Sequence, residues 1–130
     1  MMRSAQLHHC LESSHLWFDD AANTMVPKDL EKADKLLKEA PGKKDALEQM
    51  NTAYQAMYCA TMALLHSIHY KASGFRCVLT VLEDYFVKKA LLDRAHVDHL
   101  LRAQKLEGTP QENIEIAAKF VDAVKKILNQ

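Results

Sequence analysis

Glycine and proline are scarce in this chain, since its 130 residues contain only three of each and therefore few positions that break a helix. A net charge is also absent, because 17 Lys and Arg balance 17 Asp and Glu. A neutral chain does not attract nucleic acid or an acidic membrane over its whole surface, so phosphate binding requires a local patch. No long apolar run is present. We therefore expect neither a secretion signal nor a membrane span, and no membrane partner.

Cysteine is too rare and too widely spaced to suggest a zinc or redox motif. The three residues, Cys10, Cys59 and Cys77, cannot all pair with one another. We interpret them as free thiols in a reducing compartment, and we predict a cytoplasmic location.

Hydrophobic residues make up 48% of the chain, which is enough for one continuous core, so we expect a single folded domain.

The strongest pattern is a helical periodicity over residues 46–70, which predicts a long helix with one buried face. Bulky or apolar residues recur there at intervals of three and four: Leu47, Met50, Tyr54, Met57, Tyr58, Thr61, Leu64, Leu65 and Ile68. The same spacing predicts further helices over residues 4–23, 78–86 and 97–104. Another helix is expected over residues 28–40, with Glu31/Lys35 and Asp34/Lys38 pairs along its exposed face.

The last helix has the clearest start signal. Thr109 can cap its first turn, Pro110 occupies a position that needs no N–H, and Glu112 completes a capping box. No stretch alternates with period two for long enough to predict a strand, and the connections are short. We therefore predict an all-α, up-and-down bundle of five to six helices in one domain, 1–130. Residues 1–26 form its N-terminal helical extension and residues 27–130 its core.

Two motifs and the closing helix resemble the HEPN domain family in order and spacing, from about Leu30 to Leu128. The first motif is AYQAMYCATMALL at residues 53–65, and the second is FVKKALL at residues 86–92. The closing helix contains AAKFV at residues 117–121. The resemblance implies a HEPN-like helical bundle that forms a homodimer, often beside a nucleotidyltransferase or an antitoxin partner. Active members of the family are metal-independent ribonucleases or toxins.

Several polar positions depart from the family's pattern. This chain has Cys59 where many members have His, Met62 where they often have Arg, and Phe75 where an imidazole is usual. A phenyl ring cannot act as a general base. We therefore predict a non-catalytic binding or interaction module that needs no cofactor, with a nucleotide or RNA as candidate ligand.

An alternative hypothesis is a metal-independent endoribonuclease that uses Arg94 and His99. The two residues have the spacing of the family's Arg–His pair. Arg94 would hold a phosphate oxygen while His99 handles the proton of the 2′-hydroxyl, which suits RNA cleavage without metal. The other interpretation of the same residues is an exposed, charged helix start.

Ligand-binding candidates fall into two groups. Tyr54 and Tyr58 offer a stacking surface for a base, although tyrosines at this spacing also suit a helix core. Lys88, Lys89 and Arg102 form, with Arg94, a modest basic cluster that suits a phosphate. Acidic residues are interleaved with this cluster, so a solvated face of mixed charge is the other interpretation.

A third hypothesis is a histidine-based metal-binding bundle. His66/His69 and His96/His99 each place two imidazoles on one helix face. A di-iron site also needs acidic residues that project inward from the other helices, and the pattern does not supply them. We therefore assign no metal ligand.

Overall fold

The structure, a computed structural model, describes residues 4–129; residues 1–3 and 130 of the predicted domain lie outside that range. The helices are α1 (Ala5–Glu12), α2 (Val26–Glu39), α3 (Ala46–Ser67), α4 (Phe75–Val81), α5 (Arg94–Gln104) and α6 (Pro110–Leu128). Two strands, β1 (Leu16–Phe18) and β2 (Tyr70–Ala72), form one small sheet. A π-helical segment, Leu82–Val87, extends α4, and 3-10 turns cover Ala22–Met25 and Ala40–Gly42. The predicted all-α bundle of five to six helices is confirmed.

The long helix α3 lies at the centre of the bundle, in contact with α2, α5 and α6. Asp45 caps its first turn by accepting a hydrogen bond from the Leu47 amide at 3.0 Å. Four of its five alanines are fully buried, which allows neighbouring helices to approach closely: Ala53, Ala56, Ala60 and Ala63. The predicted buried face is wrong at its first position, since Leu47 is 59% exposed.

The N-terminal region is not the continuous helix predicted over residues 4–23. Helix α1 ends at Glu12, and Ser14 has a φ of 62°, a left-handed conformation that a helix does not continue through. The chain then enters β1, which pairs antiparallel with β2, with Leu16 opposite Ala72. The prediction of no strand is therefore wrong. The physical reason is that Ser13 and Ser14 favour a turn over a further helical turn.

A disulfide joins Cys10 of α1 to Cys77 of α4, across 67 residues and with the two Cα atoms 5.8 Å apart. The prediction of three free thiols is therefore wrong for these two cysteines, and only Cys59 is free among the described residues. Leu7 and Leu16 belong to the same core as the central helices, so the N-terminal extension contributes to that core. Disulfides persist mainly in oxidising compartments, so the thiols no longer support a cytoplasmic location.

The start of α6 is confirmed at the predicted residue. Thr109 Oγ1 accepts from the Glu112 amide at 3.2 Å, and Pro110 is the first helical residue. Asn113, which the capping signal did not identify, donates from Nδ2 to the carbonyls of Glu107 and Thr109 at 2.8 Å each. This buried amide fixes the turn that leads into α6.

Helix α2 forms an ion pair with α6 instead of the ion pairs predicted along its own surface. Asp34 accepts from Lys125 Nζ at 2.7 and 2.8 Å. The predicted Glu31/Lys35 and Asp34/Lys38 pairs do not form within residues 4–129. Asp34 can contact Lys125 because α2 and α6 are in contact.

Among the described residues, no helix combines the length and the apolar character needed to span a bilayer.

Candidate ligand groove between α2 and α3

A groove of about 320 Å³ runs between α2 and α3. It is lined by Lys32 and Leu36 of α2 and by Tyr54, Gln55, Tyr58 and Cys59 of α3. These residues form three pairs separated by four positions, so each pair projects from one face of its helix. The periodicity that predicted the helix therefore also places the two tyrosines side by side along one wall.

Tyr58, Tyr54 and Phe75 form a row of three aromatic rings, of which the two tyrosines line the groove. The ring centroids of Tyr54 and Tyr58 are 6.1 Å apart, and those of Tyr54 and Phe75 are 6.4 Å apart. Both tyrosines are half-buried, and this burial raises the pKa of each hydroxyl above its ordinary value. Because the hydroxyls stay protonated at neutral pH, they are available as hydrogen-bond donors.

Over residues 4–129, Lys32 is the one charged side chain that lines the groove, and it is positive. Lys32 is exposed at the rim and forms no ion pair within the described residues, and no carboxylate lines the groove. Next to it, Lys28, Glu31, Lys32 and Lys35 line a shallow depression of about 320 Å³ on α2. The sequence gives no hint of this lysine row as a site, since it reads as a solvated helix face with alternating charges.

Cys59 lies in the groove as a neutral thiol. Burial raises the pKa of the Cys59 thiol, with a smaller opposing effect from the Lys32 charge. A thiol with a raised pKa is a poor nucleophile, because the thiolate is the reactive form. Cys59 therefore lines the groove as a small, polarizable side chain and is not expected to react covalently.

The predicted basic cluster lies away from the groove. Lys88 pairs with Asp84 at 3.0 Å, and Arg102 Nε lies 3.9 Å from Glu107. Lys89 Nζ lies 5.4 Å from the centroid of the Tyr85 ring, in a cation–π arrangement. The structure thus does not bring these cations together with Tyr54 and Tyr58.

Arg94 lies in a second, larger cleft of about 590 Å³, but its guanidinium is held by Glu83. The two N–H···O distances of this bidentate pair are 2.6 and 2.7 Å. The histidine that lines this cleft with Arg94 is His96, and His99 does not line it. The predicted Arg94–His99 site is therefore not assembled in this cleft.

His96 is the least satisfied polar side chain of that cleft. Its Nδ1 is buried without a hydrogen-bond partner among the described residues, and its ring meets Phe120 edge-on at 6.0 Å. Burial lowers the pKa of His96, with a smaller contribution from His99, while Asp93 acts in the opposite direction. The neutral imidazole is therefore the form that fits the folded protein.

We expect acid to destabilise the protein partly through His96. Its pKa in the fold lies below the ordinary value of 6.5, so the unfolded chain takes up a proton first. The contribution is fully present above pH 6.5 and is lost as pH falls below that value. Urea unfolding of the His96→Gln variant at pH 7 and pH 5 is expected to show a smaller acid-induced loss of stability. The exposed-residue control, His9→Gln, should keep the native pH dependence, and an unchanged pH dependence in His96→Gln would contradict this account.

Two of the histidines in the predicted pairs, His66 and His69, have other partners. His66 Nδ1 lies 2.5 Å from Asp29 Oδ2 in a buried pair that links α3 to α2, and sequence reasoning did not find this partner. His69 lies beyond the end of α3, with its Nδ1 3.1 Å from the Asp20 carbonyl. Over residues 4–129, no group of three or more His, Cys, Asp or Glu side chains is arranged to hold a metal ion. The described residues thus give the metal hypothesis no support.

Comparisons with protein-family models, with curated proteins and with solved structures find no significant match to this chain. The resemblance to the HEPN family therefore stays a prediction from sequence motifs.

Proposed function

We propose that this chain is a non-catalytic, HEPN-like binding module whose groove between α2 and α3 holds a nucleotide. One observation carries the proposal: two half-buried tyrosine rings line a groove that has an unpaired lysine at its rim and no carboxylate in its wall. Aromatic rings stack on bases of any kind, and a lysine ammonium attracts phosphate.

Each side chain of the groove has a role in this proposal. The base stacks against Tyr58 and Tyr54, and the Gln55 amide, which can both donate and accept, meets the edge of the base. Lys32 lies near the phosphate, with Lys28 and Lys35 beside it on α2. The groove volume of about 320 Å³ is at the lower end of the range for small-molecule sites, which suits a mononucleotide better than a larger cofactor.

The groups in and around the two clefts support the proposal of a non-catalytic module. In the groove, Cys59 is a neutral thiol, and Phe75, whose ring lies next to that of Tyr54 outside the groove, has no acid–base chemistry. The ribonuclease alternative needs Arg94 to bind a phosphate, but both terminal nitrogens of its guanidinium already donate to Glu83. A phosphate must displace this carboxylate before it can bind, which weakens that alternative.

The partners follow from the resemblance alone. We propose a homodimer that works beside a nucleotidyltransferase or an antitoxin, with RNA as a further candidate ligand. Sedimentation velocity on the purified chain distinguishes a dimer from a monomer.

We expect AMP to bind the native chain and to bind the Tyr58→Ala variant at least about fivefold more weakly, because stacking on one aromatic side chain contributes roughly 1–3 kcal/mol. Lys32→Ala is expected to weaken binding several-fold and to reduce its dependence on salt. Isothermal titration calorimetry measures both effects. The control is Lys119→Ala, an exposed lysine on α6, which should bind as the native chain does. Equal affinity in the native and Tyr58→Ala proteins, or no binding at millimolar AMP, is incompatible with the proposal.

A further inference from the structure

A third cleft, of about 370 Å³, lies beside the disulfide, where the end of α1 meets the start of α4. His9 and His15 line one part of it, and Ser73, Arg76 and Cys77 line another. This cleft shares no residue with the groove between α2 and α3, so it is a separate candidate site.

The two halves of the disulfide differ in access. Cys77 lines the cleft and is 6% exposed, whereas Cys10 is fully buried in the core and does not line it. Exchange begins when a thiolate attacks one sulfur of a disulfide, so the reachable sulfur is the one attacked. Access alone therefore selects Cys77.

The charge of the cleft selects among attacking thiols. Arg76 carries a permanent positive charge and forms no ion pair within the described residues. His9 and His15 add ring N–H donors, and His15 Nδ1 lies 3.4 Å from Ser73 Oγ. No carboxylate lines the cleft. A thiol that carries carboxylates is therefore attracted, and one that carries an ammonium is repelled.

We propose that this cleft is a thiol–disulfide exchange site that accepts a small anionic thiol at Cys77. The thiolate attacks Sγ of Cys77 and forms a new S–S bond. The bond between Cys77 and Cys10 breaks, and its electron pair leaves with Sγ of Cys10, which takes up a proton from water. A second thiolate then attacks the mixed disulfide and releases Cys77 as a thiolate, so that two thiols supply the two electrons and become one disulfide.

Exchange releases the covalent attachment of α1 while its other contacts remain. Leu7 and Leu16 are buried against the core, and Ser4 Oγ donates to Asp84 at 2.5 Å. The product is therefore a folded chain that carries an adduct on Cys77 and a buried thiol at Cys10. Exchange is slow, because the leaving Cys10 sulfur is expelled into an apolar environment rather than into water.

The experiment compares glutathione, which is anionic, with cysteamine, which is cationic, on the native chain under conditions where it stays folded. Acid quenching, alkylation and peptide mass spectrometry measure the rate and the position of the adduct. Each rate is divided by that of the same thiol with a small neutral disulfide, which removes differences in thiolate fraction. We expect this normalised rate to be roughly tenfold higher for glutathione, with the adduct on Cys77.

Arg76→Gln tests the cause of the selectivity, and Arg102→Gln is the matched control on a distant helix. The first variant should lose most of the preference for glutathione, and the second should keep it. Equal normalised rates in the native chain would indicate exchange through general unfolding and would overturn the proposal. An adduct on Cys10, or no adduct while the small disulfide reacts fully, would also overturn it.

Discussion

Replacing Cys10 and Cys77 by alanine is expected to lower the free energy of unfolding by about 4 kcal/mol, because the disulfide closes a loop of some 67 residues in the unfolded chain. The open chain gains more conformational entropy on unfolding than the cross-linked chain does. Urea unfolding followed by circular dichroism measures the loss. A chain of this size has a stability of roughly 5–15 kcal/mol, so the variant should still fold.

Reduction of the native chain supplies an independent measure of the same energy. A phosphine reductant should shift the urea midpoint of the native chain towards that of the double variant, and should leave the double variant unchanged. The control is Cys59→Ala, which removes the free thiol and retains the cross-link. If the native chain unfolds at the same urea concentration with and without reductant, the cross-link does not contribute as described.

Truncating Phe120 to alanine is expected to cost about 4 kcal/mol, since a large aromatic side chain is removed from a close-packed core. Phe120 of α6 is fully buried and is the largest side chain so enclosed among the described residues. Its ring also meets His96 edge-on, so the cavity extends to the cleft beside Arg94. Urea unfolding at pH 7 measures the change.

Phe18→Ala is the matched control, because the same atoms are removed from a residue that is 63% exposed. Its effect should stay within about 0.5 kcal/mol. Similar losses in the two variants would mean that α6 is not packed as the structure describes.

Features set by neighbouring residues could be predicted from the sequence. The periodicity over residues 46–70 identified α3, and the capping signal at Thr109 placed the start of α6 at the correct residue. Both depend on residues only a few positions apart, and so on interactions that exist whatever the rest of the chain does. The role of Asn113 was not predicted even so, because hydrogen bonds from its side chain to the carbonyls of the preceding turn have no recognised sequence pattern.

Features that join distant segments could not be predicted in this way. The partners Cys10 and Cys77 are 67 residues apart, and β1 is short and pairs with a strand more than fifty residues later. The buried His66–Asp29 pair likewise links two helices. Nothing local distinguishes these residues from unpaired ones, because their pairing depends on how the helices are arranged.

The candidate site combines both kinds of feature. Tyr54 and Tyr58 were identified from the sequence, because a spacing of four places them on one face. The basic cluster of Lys88, Lys89 and Arg102 was a separate candidate, and the cation that lines the groove with the tyrosines is Lys32 from α2. The sequence did not indicate Lys32, because its proximity to the tyrosines depends on how α2 packs against α3.

Mapping the amide chemical shifts of isotope-labelled protein during an AMP titration tests the proposed function most directly. The account predicts saturable shifts at Lys32, Tyr54, Gln55 and Tyr58, with little change around Arg94 and His96. Saturable shifts confined to the cleft of Arg94 and His96, or no shifts at millimolar AMP, would contradict it.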